Sequence, residues 1–203
     1  EGTIISSGLS KWCGAGGWRL GTFTFPNNLR WLLDAVAVVA SETYTSTSAP
    51  IQHAAVRAYE GGTKIERYLC NSRRILKSVG NSLASTLIEA GLLIPQPQGG
   101  FYLFPSFDPF RERLAQRGIL TSTQLCEQLL TDTGVAILPG SEFGRPSSEL
   151  TARLAFVDFD GARALVSAET VALDSELPKD FPFTHCQGVM TAGKRISDWL
   201  QQL

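Results

Sequence analysis

A lysine near the start of the chain is surrounded by small and hydroxylated residues, and an arginine follows it eight positions later. Lys11 comes directly after Ser10, and a glycine-rich segment separates it from Arg19. A lysine amine becomes a nucleophile when burial and nearby positive charge lower its pKa, so that it spends time in the neutral form. An arginine binds phosphate through paired hydrogen bonds that a lysine makes less well. These residue types at this spacing would allow a nucleophilic amine next to an anion site.

Residues 7–21 resemble the cofactor loop of the fold-type I, pyridoxal-phosphate-dependent aminotransferases of class I and II, the aspartate aminotransferase-like superfamily. In that family the pattern S-[LF]-S-K is followed by a short mixed segment and then by G-x-R-x-G. The resemblance implies that Lys11 forms the Schiff base with pyridoxal 5'-phosphate. It also implies that Arg19 binds the phosphate and that Ser10 adds a phosphate contact. Gly8 departs from the pattern, because the family often has Ser or Thr there.

Three glycines lie between the lysine and the arginine, namely Gly14, Gly16 and Gly17. A glycine has no Cβ, so it adopts positive φ and allows another group to approach its backbone closely. We expect these three glycines to give the loop both properties.

Later segments resemble the same family in the same order. Residues 99–105 are similar to its G-x-F-Y-x-x-P segment, and residues 134–144 are similar to its G-V-x-x-x-P-G-x-x-F-G strand and loop. A strand is predicted over about 150–156, and Arg153 within it matches the family's arginine for the substrate α-carboxylate. Two hydrogen bonds between a guanidinium and a carboxylate would fix the orientation of the amino acid.

The composition excludes several classes of partner. A net charge of −1 and a pI near 6.2 provide no electrostatic footprint for nucleic acid or for an anionic membrane surface. No apolar run approaches the roughly 20 residues that a membrane span needs. We therefore expect small-molecule partners, with no nucleic acid and no membrane.

The cysteines and histidines carry little sign of further chemistry. The four cysteines are scattered without metal-ligand spacing, which favours free thiols in a reducing, cytoplasmic compartment and no metal site. Only two histidines are present, so a hydrolase with a Ser-His or Cys-His pair is disfavoured.

Hydrophobic periodicity predicts three helices in the first part of the chain, over about 29–40, 51–59 and 63–90, and Asn28 is placed to cap the first. The third resembles the helix that joins the two domains of the family. The resemblance implies an α/β fold. Residues 1–75 would be the end of a large, mostly parallel-sheet domain that binds the cofactor, and residues 76–203 would be a smaller α+β domain. Further helices are predicted over about 121–131, 160–173 and 186–202, and Thr121 with Gln124 has the spacing of a capping box at the start of the first of these.

The start of the chain indicates a piece of a longer protein. It begins with Glu1 rather than Met, and a strand enters the lysine loop at once. The resemblance implies a protein about twice this long, with its lysine past the middle. We therefore expect the C-terminal half of an enzyme, or a truncated gene model, that is inactive by itself.

The resemblance implies a transaminase that moves an amino group between an L-amino acid and a 2-oxo acid and works as a homodimer. In that reaction Lys11 would move a proton between the substrate Cα and the cofactor. One subgroup binds a side-chain carboxylate with an arginine between the first two helices, but no Arg or Lys occurs between Trp31 and Val56. A preference for dicarboxylates through such a residue is thus disfavoured.

Two alternatives stay open at this point. The same residues would serve a pyridoxal-phosphate-dependent lyase, such as a C–S lyase or an enzyme like aminocyclopropane-carboxylate synthase. A non-catalytic copy, either truncated or used to sense a ligand, is the other alternative.

Overall fold

The computed structural model describes residues 2–203. The chain divides into two compact units, of which the first ends at Leu69 and the second runs from Cys70 to Leu203. The first unit contains β1 (Ile5–Gly8), β2 (Gly21–Thr24), α1 (Arg30–Thr43), α2 (Ala49–Glu60) and the start of α3 (Thr63–Glu89). The second contains the rest of α3 and then β3 (Tyr102–Leu103), α4 (Arg111–Gln116), α5 (Ser122–Thr133), β4 (Leu138–Pro139), β5 (Ala152–Ala155), α6 (Gly161–Ala168), α7 (Phe181–His185) and α8 (Gln187–Gln201).

The first unit is built on an antiparallel hairpin. β1 and β2 pair so that Gly8 lies opposite Gly21, and residues 9–20 form the loop between them. Leu9 and Leu20, at the two ends of this loop, are buried in a small core with Ala55 and Ala58 of α2. The loop is thus held in place by apolar burial as well as by strand pairing.

The start of α1 differs from a prediction of the sequence, in which Asn28 caps this helix. Pro26 is extended, with ψ of 156°, and a short 3-10 helix over Asn27–Leu29 precedes Arg30. Asn28 lies inside that 3-10 helix, and Leu29 at the N-cap position makes no side-chain cap. The prediction is wrong because the 3-10 helix moves the first α-helical turn beyond Asn28.

The second unit has a small antiparallel sheet in the order β3-β5-β4. Ala152 and Leu154 of the central strand are buried, whereas Arg153 between them is only partly buried. This alternation is the period of two that a strand imposes on its side chains. Every strand pair within residues 2–203 is antiparallel. The parallel sheet and the domain boundary at residue 75 stay predictions.

Helices α3, α5 and α8 supply much of the core of the second unit. Their most deeply buried side chains are aliphatic and include Val79, Leu83, Leu87, Leu125, Leu129, Ile196 and Leu200.

The predicted capping box of α5 is confirmed. Gln124 N donates to Thr121 Oγ1 over 3.2 Å, and Thr121 N donates to Gln124 Oε1 over 3.1 Å. The cap satisfies backbone groups that the first turn leaves without a partner.

Two features are absent from residues 2–203. None of the helices there is both long and apolar enough to cross a membrane. In the same part of the chain, no cluster of three or more His, Cys, Asp and Glu side chains could hold a metal ion.

Gly80, in the middle of α3, faces the ring of Phe156. A Cβ at Gly80 would lie 2.9 Å from Phe156 Cζ, and the ring is 1% exposed and cannot move aside easily. We predict that Gly80→Ala lowers the free energy of unfolding by about 1–2 kcal/mol, because overpacking outweighs the helix propensity that alanine gains. Urea unfolding provides the measurement. Gly161→Ala, in open space at the start of α6, is the matched control and should change it by less than about 0.5 kcal/mol.

The four cysteines are free thiols that differ in burial. Desolvation and the nearby Glu127 raise the pKa of Cys126 to about 12, and desolvation raises that of Cys186 to about 11. Since the thiolate is the nucleophile, iodoacetamide at about pH 8 should modify the partly buried Cys13 and Cys70 first. Peptide mass spectrometry follows each site. Rapid modification of Cys126 in the folded protein would contradict this.

Candidate functional site

The loop with the candidate lysine is a series of tight turns between two buried ends. Ala15 N donates to Leu9 O over 3.1 Å, and Gly14 N donates to Lys11 O over 3.2 Å. Ala15 is buried together with Leu9, whereas Lys11 is exposed. The backbone that carries Lys11 is therefore fixed from within, and the lysine side chain lies on the outside of the loop.

Gly14 needs to be a glycine for two independent reasons. Its φ is +64°, in the left-handed region that side chains rarely adopt. In addition, a Cβ there would lie 2.8 Å from the hydroxyl oxygen of Tyr68 on α3. Gly16 and Gly17 have no positive φ, so the expectation for them is wrong. They lie in a right-handed 3-10 helix over Gly16–Trp18.

Arg19 takes the left-handed conformation in their place, with φ of 54° and ψ of 42°. A left-handed residue with a side chain costs about 1–2 kcal/mol, and such strain is concentrated at functional sites. Its Nη1 donates to the carbonyl oxygen of Gly16 over 2.7 Å. The side chain is exposed, and this hydrogen bond connects one end of its guanidinium to its own loop.

Helix α2 supports the loop from one side. The rings of Trp12 and Tyr59 lie 5.7 Å apart, and the Tyr59 hydroxyl is 3.3 Å from Thr22 Oγ1 on β2. Tyr59 therefore contacts both the residue after Lys11 and the strand after Arg19. Ser10 is half-buried within the same loop.

Gly8, where the sequence departs from the family pattern, lies at the base of the hairpin, close to the opposite strand. A Cβ on Gly8 would lie 3.3 Å from the carbonyl oxygen of Leu20, and one on Gly21 would lie 3.3 Å from that of Ser7. Both distances are shorter than ordinary van der Waals contact. The two glycines let the strands close tightly where the loop begins and ends.

Arg153, in the second unit, lies between aromatic rings. Its Cζ is 4.4 Å from the ring centre of Tyr102 and 4.2 Å from that of Phe143. Both distances are within the range of cation–π attraction. Within residues 2–203 the Arg153 guanidinium has no carboxylate or carbonyl oxygen as a hydrogen-bond partner. Among these residues, the guanidinium is therefore positioned by aromatic rings and not by an acidic side chain.

The segment after β4 brings Phe143 to Arg153. Gly140 N donates to Thr151 O over 2.8 Å, and a Cβ at Gly140 would overlap Thr151 Oγ1. A short 3-10 helix over Gly140–Phe143 follows and ends at Gly144, whose φ is +77°. The glycines of this segment therefore set the close contact with β5 and the turn that delivers the ring.

The predicted site residues lie in two places. Ser10, Lys11 and Arg19 share one loop of the first unit, and Arg153 lies on β5 of the second. Tyr102 and Phe143 were not predicted as site residues from the sequence. The signal that could have indicated them is that both are aromatic positions of the two later motifs.

The chain was compared with known proteins. The family model "Aminotransferase class I and II" matches residues 1–163. Aspartate aminotransferases of Geobacillus stearothermophilus and Rhizobium meliloti are 31% identical over 147 residues and 34% identical over 145 residues. These alignments cover 72% and 70% of this chain but only 35% and 34% of the relatives. The aligned part of the chain thus corresponds to about a third of the length of these curated relatives.

The fold is similar to that of solved aminotransferases. The aromatic aminotransferase of Pyrococcus horikoshii superposes with a TM-score of 0.71 at 24% identity, over 98% of this chain and 43% of that one. The aspartate aminotransferase of Rhizobium meliloti superposes with a TM-score of 0.67 over 98% of this chain and 42% of that one. At this identity the likeness shows the fold alone.

The two reasons for glycine at position 14 can be tested separately. We predict that Gly14→Ala lowers the free energy of unfolding by about 1–3 kcal/mol through left-handed strain and the clash with Tyr68. In a Tyr68→Phe background the loss should shrink, because the clashing oxygen is gone. Urea unfolding of each variant measures both effects.

Gly17→Ala is the matched control in the same loop, since a Cβ there meets nothing within 4 Å. It should change the free energy of unfolding by less than about 0.5 kcal/mol. Equal losses for Gly14→Ala and Gly17→Ala would show that the two reasons given for Gly14 are wrong.

Proposed function

Since the chain belongs to the class I and II aminotransferases, we propose that its protein transfers an amino group between an L-amino acid and a 2-oxo acid. The observation that carries this proposal is the closed hairpin loop with Lys11 and Arg19, which lies within the residues that the family model matches. Because the aligned part of the chain covers only about a third of these curated relatives, the activity is proposed for the full-length protein.

The loop has the chemistry to hold the pyridoxal phosphate that the family implies. Lys11 offers an amine for covalent attachment, and the exposed guanidinium of Arg19 offers N–H groups to a phosphate. Ser10 would add a hydroxyl to the phosphate. When bound, this cofactor serves as a sink for the electron pair that remains when the substrate Cα loses its proton.

Lys11 would act as the general base and then the general acid. Its amine would accept the proton from the substrate Cα. The fixed backbone around Lys11 limits the positions that its amine can reach, which favours a defined proton transfer. The same amine would later return a proton.

Arg153 would bind the α-carboxylate of the substrate. Its guanidinium is positively charged, the residue is partly buried, and two aromatic rings lie against the guanidinium. The remaining N–H edge is suited to two parallel hydrogen bonds with a carboxylate. This contact would fix the orientation of the bound amino acid at its carboxylate end.

The substrate proposal has two parts. No Lys or Arg occurs between Trp31 and Val56, which disfavours binding of a second carboxylate by this segment. The relatives named as aspartate aminotransferases make aspartate the first substrate to assay, beside an amino acid with an uncharged side chain.

The names of these relatives favour amino-group transfer over the lyase alternative. Product analysis separates the two, since a transaminase makes a new amino acid.

Two further points stay predictions. The resemblance implies a homodimer, and the free cysteines favour a cytoplasmic location.

Lys11 is the residue on which the proposal is tested. We expect borohydride reduction of the full-length protein with pyridoxal phosphate to give one stable adduct, on the peptide that contains Lys11. Lys11→Ala should remove this adduct and lower the transamination rate by at least about 10²–10⁴-fold, because the acid–base group is lost. Mass spectrometry of the peptides and an amino-acid product assay are the measurements.

Lys64→Ala is the matched control, since Lys64 is also exposed and lies in the first unit. It should retain both the adduct and the rate. An adduct that persists in Lys11→Ala, or a protein that never forms one, would overturn the assignment of Lys11.

A further inference from the structure

We propose that Tyr102 and Phe143 are positioning residues of the substrate-carboxylate site, where they clamp the guanidinium of Arg153 in one plane. The inference rests on the proposed function, because it assumes that Arg153 binds a carboxylate. It assigns a role to two aromatic side chains that the proposed chemistry does not otherwise use.

The two rings reach Arg153 from opposite sides of the central strand. Tyr102 lies on β3, and Phe143 follows β4, and these strands flank β5 in the order β3-β5-β4. The ring centres are 4.4 Å and 4.2 Å from Arg153 Cζ. Such distances place the planar cation against π faces and leave its N–H edge as the part that can receive an anion.

Each ring is itself held by a second ring. Phe143 meets Phe104 edge to face, with centroids 6.2 Å apart, and Tyr102 lies 4.4 Å from Phe101. Aromatic pairs at such distances favour defined mutual orientations. The clamp is thus part of a larger aromatic cluster, and the orientation of the guanidinium does not depend on one contact.

The charge of Arg153 makes this clamp useful. Within residues 2–203 no acidic group pairs with it, so its positive charge is not neutralised by the chain's own carboxylates there. Aromatic faces stabilise the cation without occupying its hydrogen-bond donors. An acidic partner would have held the arginine equally well but would have competed with the substrate.

The clamp predicts a loss of carboxylate affinity when a ring is removed. Phe143→Leu and Tyr102→Leu should each weaken binding by roughly 2- to 30-fold, which corresponds to a cation–π contribution of about 0.5–2 kcal/mol. Tyr102→Phe keeps a ring at the same place and should restore most of the affinity. The KM for the amino acid should rise more than kcat falls, since the rings act on carboxylate binding.

The experiment measures equilibrium binding of propionate to the full-length, cofactor-loaded protein by calorimetry, with Phe183→Leu as the control. Propionate has a carboxylate but no amino group, so the readout does not require turnover. Phe183 is an exposed phenylalanine on α7, and its replacement should leave the affinity unchanged. The ring variants are measured both alone and in an Arg153→Leu background. If the rings act through Arg153, removing them from Arg153→Leu should cause no further loss.

The outcomes separate this inference from the proposed function. If Arg153→Leu binds propionate as well as the parent protein does, the carboxylate role of Arg153 fails and the clamp fails with it. If Arg153→Leu loses affinity but Phe143→Leu and Tyr102→Leu do not, the proposed function stands and the clamp is wrong. A ring effect that persists undiminished in Arg153→Leu would also overturn the clamp, because it would reveal a purely structural role.

Discussion

The closure of the β1–β2 hairpin is the constraint on which the candidate cofactor site depends. Pairing of Gly8 with Gly21 brings the two ends of the loop together, and Leu9 and Leu20 are buried directly above that pair. Bringing the two ends of the loop together costs conformational entropy, and the base of the hairpin meets this cost. The turns inside the loop then form between residues that are close in sequence. Both candidate cofactor ligands lie within this closed segment, so the closure of one loop places the lysine and the arginine together.

Glycine serves a different purpose at each motif position. Gly14 combines a left-handed backbone with contact to Tyr68, whereas Gly140 has no positive φ and is required by its contact with Thr151. Gly144 again supplies a left-handed turn, and Gly17 shows neither requirement. The glycines of these motifs thus meet different steric requirements, and a high glycine content is not evidence of flexibility.

The regular elements could be predicted from the sequence because their signals are local. The spacing of apolar residues in α3 and the capping box of α5 involve residues within a few positions of each other. The path of the lysine loop was predicted less well. Glycine content favoured positive φ at Gly16 and Gly17, but the 3-10 helix placed the left-handed residue at Arg19. Propensity alone does not determine where in a tight loop the strain is located.

The surroundings of Arg153 could not be predicted, because they depend on strand pairing between distant parts of the chain. Tyr102 reaches Arg153 through the pairing of β3 with β5, and Phe143 reaches it through the pairing of β4 with β5. A sequence pattern identifies each aromatic residue but does not specify which side chain it will contact. The two later motifs and the arginine were therefore recognised as three separate features. The sheet unites them, since its order β3-β5-β4 is the arrangement that lets both aromatic segments reach one guanidinium.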